Sequence, residues 1–206
     1  MKIGACFVKM GWTYAVLILL LSGCRGSTTP AKFYTLNALN RVQEESRGAA
    51  AGAKIAIGVG PLTFPEYYDR PQIVTRTGPN KLTLSEFHRW GGALDEDFLR
   101  VMAENISIQF GTDRVAVFPW GTIFNPNYRV KFDMHQFDGT LGETVLLNVT
   151  WTITGQDDKA APLVRKTIIT ESVLAKDYEA LVAAKSRALA ALSRRIVEEI
   201  KRLETK

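Results

Sequence analysis

The chain has 206 residues, 46% apolar and 23% charged, the balance of a folded globular protein rather than of a disordered or collagen-like one. Its formal charge is +5; with Lys2 and Lys9 set aside, 24 basic side chains face 21 acidic ones, and a net +3 excludes the surplus of a dedicated nucleic-acid binder. The two cysteines, Cys6 and Cys24, both stand at the N-terminal extreme, so the folded body can hold no disulfide framework, zinc knuckle or thiol nucleophile.

Lys2 and Lys9 are the only formal side-chain charges before Arg25, and WTYAVLILLL, Trp12 to Leu21, supplies about ten apolar residues before Ser22-Gly23-Cys24. A positive start, a short apolar run and small residues at the cut describe a secretory signal peptide over residues 1–23. The run falls short of the roughly 20 residues that a spanning helix needs, which disfavours the competing reading as an uncleaved anchor. Leu21-Ser22-Gly23-Cys24 resembles the lipobox of bacterial lipoproteins. That resemblance implies cleavage before Cys24 and acylation of its thiol and amine, with residues 24–32 as a lipidated tether. Arg25 rather than Asp follows the cysteine, which by resemblance to enterobacterial lipoproteins implies sorting to the outer membrane.

The remainder, 33–206, reads as a single α+β domain: a mainly antiparallel sheet with two helices packed on one face. Phe33–Leu36 is a first strand, and Asn40–Ala53 is a polar, then Ala/Gly-rich loop. Lys54–Val59 alternates with Ile55, Ile57 and Val59 on one face, and Gly60-Pro61 is expected to interrupt it. Ile73–Thr77 and Leu82–Phe87 are strands around the turn Gly78-Pro79-Asn80. Leu94, Phe98, Val101, Met102, Ile106 and Phe110 recur at helical spacing, with acids at 95–97 and Gly111 past the end, so Leu94–Phe110 is predicted helical. Val115–Phe118 is a short strand. Tyr128–Phe137, Val145–Thr154 and Leu163–Ser172 form an antiparallel meander, the last two joined by Gly155-Gln156-Asp157-Asp158. From Asp177 a long helix presents Leu181, Ala184, Ala188, Leu192, Ile196, Ile200 and Leu203 as one stripe.

Little in the chain carries reaction chemistry. His88 and His135 lie at strand positions without metal-ligand spacing, and Gly58-Val59-Gly60 is followed by Pro61 rather than by a helix, which a phosphate-cradling turn requires. Ser85 and Ser107 lack nucleophile-elbow glycines. Asp95, Glu96 and Asp97 complement a helix dipole at less cost than they would bind a metal. The seven basic and three acidic side chains between Lys185 and Lys206 read as a solvated helix face, with an anionic surface as the alternative. No cofactor or metal is expected, and the chain reads as no enzyme.

Pro65-Glu66-Tyr67-Tyr68-Asp69-Arg70-Pro71-Gln72 stands apart. Prolines lower the entropy lost on ordering a loop, while Tyr and Arg are enriched at binding hot spots. Either this loop is a recognition surface, or Asp69 and Arg70 pin it to the sheet; the residues alone leave both open.

The run GVGPLTFPEYYDRPQIVTR, Gly58 to Arg76, resembles the signature of the ABC-transport auxiliary lipoproteins of the PqiC/YmbA type. Weaker echoes follow in order: Phe33-Tyr34-Thr35-Leu36, His88-Arg89-Trp90, Phe118-Pro119-Trp120, Tyr128-Arg129-Val130, Phe137-Asp138 and Trp151. Gly91-Gly92-Ala93-Leu94 departs from the Ala-Glu-Pro-Leu pattern of such proteins. The resemblance implies an outer-membrane lipoprotein facing the periplasm, acting in intermembrane lipid transport. Its implied partners are an MCE-domain periplasmic protein and inner-membrane transporter components, with no nucleic acid, and it leaves homo-oligomerisation open. Tyr67, Asp69, Arg70 and Gln72 are the expected contact residues, and Trp120 and Trp151 are expected in the core. The alternatives are a lipoprotein assembly or insertion factor for an outer-membrane protein without an MCE partner, and a periplasmic hydrolase with an unconventional site.

Overall fold

A computed structural model describes residues 29–40, 55–121, 123–156 and 161–205. The expected signal segment 1–23, the lipidation candidate Cys24, nearly all of the 40–53 loop and half of the 155–158 turn lie outside the described residues.

Among the described residues, eight strands and two helices follow in the order β1 (Lys32–Tyr34), β2 (Ile57–Thr63), β3 (Gln72–Gly78), β4 (Lys81–Trp90), α1 (Leu94–Phe110), β5 (Val115–Val117), β6 (Tyr128–Gly139), β7 (Thr144–Gly155), β8 (Leu163–Ser172) and α2 (Tyr178–Glu204). A single 3-10 turn, Glu66–Tyr68, sits between β2 and β3. The α+β class holds, with a division that the sequence does not reveal. The strands form two mixed sheets, a three-stranded β1-β4-β3 and a five-stranded β5-β2-β6-β7-β8. The expected meander β6-β7-β8 and hairpin β3-β4 are antiparallel, whereas β2 runs parallel to both β5 and β6, and β1 parallel to β4. Alternation with period two identifies a strand but names no neighbour.

β2 also runs through Gly60-Pro61 rather than stopping there. The last β5 pair is Val59 with Val117, so Pro61 lies beyond that ladder and its missing N–H costs no bond on that side. Pairing with β6 resumes at Leu62 opposite Phe132 after a shift in register.

Both helices cover one face of the five-stranded sheet. Val130, Phe132 and Met134 of β6 and Val145, Leu147, Val149, Trp151 and Ile153 of β7 are buried beneath them, with Lys131, Asp133 and His135 turned to the opposite, solvated side. α1 packs on β2 and β5, α2 on β6, β7 and β8, and the helices touch each other. α1 carries Asp95, Glu96 and Asp97 in its first turn and ends at Gly111, whose left-handed φ of 80° lets its N–H reach the Ser107 carbonyl at 2.9 Å. α2 is capped by Asp177, whose carboxylate accepts from the Ala180 amide at 2.8 Å.

The ends of α2 define two poles. At its start the Tyr178 ring stacks on His88 of β4, with centroids 4.0 Å apart. At its end Glu204 accepts from the hydroxyl of Tyr128, the first residue of β6. With 27 residues, α2 separates these poles by about 40 Å.

Candidate functional site

The loop between β2 and β3 is built from the inside out. Tyr68 is buried, its hydroxyl donating to Asp138 Oδ2 at 2.9 Å and accepting from the Phe137 amide at 2.8 Å. Burial pushes the Tyr68 hydroxyl up, so it stays a donor. Asp138, 1% exposed, is also gripped by Arg76, whose Nε and Nη2 donate to Oδ1 and Oδ2 at 3.0 and 2.8 Å, and by Gln136 Nε2 at 2.8 Å. Burial pushes the Asp138 carboxyl up, but the bonds from Arg76, Gln136 and Tyr68 outweigh it and hold the group below its ordinary value. The anion therefore has a full set of donors, which makes a buried charge tolerable.

Lys185 of α2 completes the cluster. It is 1% exposed, donates to the Phe137 carbonyl and lies 4.1 Å from the centre of the Phe137 ring. Burial pushes its amine down to about 7, with Asp138 opposing the shift. Tyr68, Arg76, Asp138 and Lys185 thus tie the loop, both sheets and α2 to one point.

The expected contact residues surround this point on its outer side. Tyr67 is half-buried, its ring 4.4 Å from that of Tyr68, and Asp69 is exposed. Gln72 opens β3 opposite Arg89. Arg70 is half-buried, and its Nε is enclosed with no hydrogen-bond partner among the described residues. Neither Asp69 nor Arg70 has a side-chain bond to the sheet among the bonds that hold the loop; Tyr68, which sequence reasoning passed over, does the pinning.

Elsewhere the residues take structural positions. Trp151 is buried, with Nε1 donating to Thr167 at 2.9 Å. Trp120 is half-buried on the outer side of β2 over Gly58, where a Cβ would come within 2.9 Å of its ring. His88 bonds Ser85 at 2.9 Å, and His135 bonds Thr150 at 2.8 Å on the solvated face. Asp97 accepts from the Leu36 amide at 2.6 Å and pairs with Arg100, so part of the acidic cluster fastens the segment after β1 to α1. Among the described residues no group of three His, Cys, Asp or Glu is placed to hold a metal, and no helix is long and apolar enough to cross a membrane.

The chain is similar to the intermembrane transport lipoprotein PqiC of Escherichia coli K12 and to that of Shigella flexneri, each 23% identical over 193 residues, which is 93% of this chain and 98% of the relative. The fold is similar to a crystal structure of an uncharacterized protein, with a TM-score of 0.66, 18% identity, and coverage of 84% of this chain and 99% of that one. It is also similar to protein XCC0632 from Xanthomonas campestris, with a TM-score of 0.59, 15% identity, and coverage of 81% and 92%. The family of the ABC-type transport auxiliary lipoprotein component matches residues 34–197, from β1 to the last turns of α2, and the chain belongs to that family.

Proposed function

We propose that this protein is a periplasm-facing subunit of an MCE-type intermembrane lipid transport system, held in the outer membrane by acylated Cys24, where it docks or anchors the outer end of the conduit. The supporting observation is a coincidence of position: the lipobox cysteine precedes by ten residues the start of the family match at residue 34. The similarity to PqiC over nearly its whole length supports the transport system as the setting. Tyr67, Asp69, Arg70 and Gln72 are the proposed contact residues, because the loop bearing them is held from behind by Tyr68 while Asp69 is exposed and the other three are half-buried on its outer side. A preordered loop loses less entropy on binding than a mobile one.

The test is co-purification from native membranes in mild detergent, with a C-terminal tag and Cys24 intact, and identification of the partners by mass spectrometry. Recovery of an MCE-domain protein is the expected outcome. Recovery of an outer-membrane barrel or its assembly machinery without an MCE protein would overturn the reading in favour of an assembly factor.

A further inference from the structure

Two aromatic side chains at the pole where the fold begins stand open to solvent. Phe33 of β1 is 67% exposed and Phe87 of β4 is 44% exposed, whereas every other Phe, Tyr and Trp among the described residues except Phe118 is more covered than either. Single exposed apolar residues are ordinary. These two are neighbours by register: Lys32 pairs with His88 and Phe33 with Arg89, which sets Phe87 two positions before Phe33's partner on the adjacent strand. Tyr34 and His88 turn inward to meet each other and Tyr178, so alternation turns Phe33 and Arg89 outward. β4 carries extra residues against β3 just here, between the pairs Val74–Leu84 and Gln72–Arg89, and the bulge projects Phe87.

We propose that this outward face of β1 and the β4 bulge, led by Phe33 and Phe87, rests in the interfacial layer of a phospholipid bilayer. The inference rests on the acylated Cys24 of the preceding section. Phe33 lies nine positions after Cys24, a reach of at most about 30 Å even when fully extended. The opposite pole, where Glu204 meets Tyr128, is about 40 Å away along α2. The face bearing Phe33 is therefore the one a lipid tether brings to the membrane. Arg89 shares the outward face with the rings as a cation, and exposed Glu86 offsets it, so the rings rather than net charge set the contact. Apolar side chains of this kind enter about 5–10 Å into the headgroup boundary.

The full chain, purified with its native lipid and reconstituted into vesicles of phosphatidylethanolamine and phosphatidylglycerol, tests this. In acylated mature protein, a cysteine placed by Phe33→Cys, Phe87→Cys or, at the far end of α2, Thr205→Cys is the one free thiol and can carry a fluorophore. Lipids bearing a shallow nitroxide should quench the label at 33 and 87 several-fold more than at 205. Equal quenching at all three positions, or none at 33 and 87 while the protein still floats with vesicles, overturns the proposal. Energy transfer between copies labelled at 33 without nitroxide quenching also overturns it, in favour of a second copy on this face. The anchor is read separately, by the mass of the mature N-terminus and by flotation of a Cys24→Ser chain. If that chain floats as well as the parent, the anchor reading fails, and the quenching at 33 and 87 still decides the face.

Discussion

Arg76 on β3 and Asp138 on β6 meet across the boundary between the two sheets through two parallel bonds, one guanidinium edge to one carboxylate. Paired this way, the two sheets are held in one relative position by a contact whose partners lie 62 residues apart. Removing one member strands the others: Arg76, Gln136 and the Tyr68 hydroxyl all lose the acceptor, and Lys185 loses its nearby anion. Asp138→Ala is expected to cost about 3–5 kcal/mol, the usual penalty for breaking a buried pair, measured by urea unfolding. Arg76→Ala should cost less, since its side chain is 27% exposed and water can partly replace it.

Lys185 makes stability depend on pH in a definite direction. Its folded value of about 7 lies below the roughly 10.4 of an unfolded lysine, so between these values the unfolded chain binds more protons and stability rises with pH. The contribution is complete above the upper value and is lost as pH falls through the lower one. Unfolding free energy followed from pH 7 to about 9 should climb, and Lys185→Met should flatten that climb. An unchanged slope in the variant would show that another group is responsible.

Gly58 and Trp120 form a packed pair without side chain on one side. Gly58→Ala is expected to destabilise by about 1–3 kcal/mol, because the added methyl meets the indole at 2.9 Å. Adding Trp120→Ala should make the two costs less than additive, with thermal melts of both single variants and the double variant closing the cycle.

For the loop, Tyr67→Ala and Arg70→Ala should each lower recovery of the membrane partner, and the pair should lower it further. Arg70→Ala is expected to change stability by less than about 1 kcal/mol, since it removes a buried donor that has no partner. Full partner recovery by the stable double variant would remove the loop as a recognition surface.

Much of this fold is written locally. The spacing from Leu94 to Phe110, the acids in its first turn and Gly111 after it mark α1 to the residue, and Asp177 announces α2. The pairing of β2 with β5 and β6 is absent from any local pattern, because it joins residue 57 to residues 115 and 128. The polar cluster is legible only in pieces. Arg76 closes the Gly58–Arg76 signature and Asp138 lies in a weaker echo, but no spacing says that they touch. Lys185 did leave a sign: it falls four after Leu181 and three before Ala188, within the apolar stripe, where a charged residue is buried with a partner or not at all.

The parallel seat of β2 governs the order in which the protein can be assembled. Both of its neighbours come from later in the chain, and the second begins at residue 128, so β2 emerges well before the strands it lies between, whereas β1, β3 and β4 complete their own sheet by residue 90. The meander that follows, from Tyr128 to Ser172, can pair with itself by short turns. The five-stranded sheet should thus form from its later strands backward, with β2 inserted between β5 and β6 as a slow, high-contact-order step.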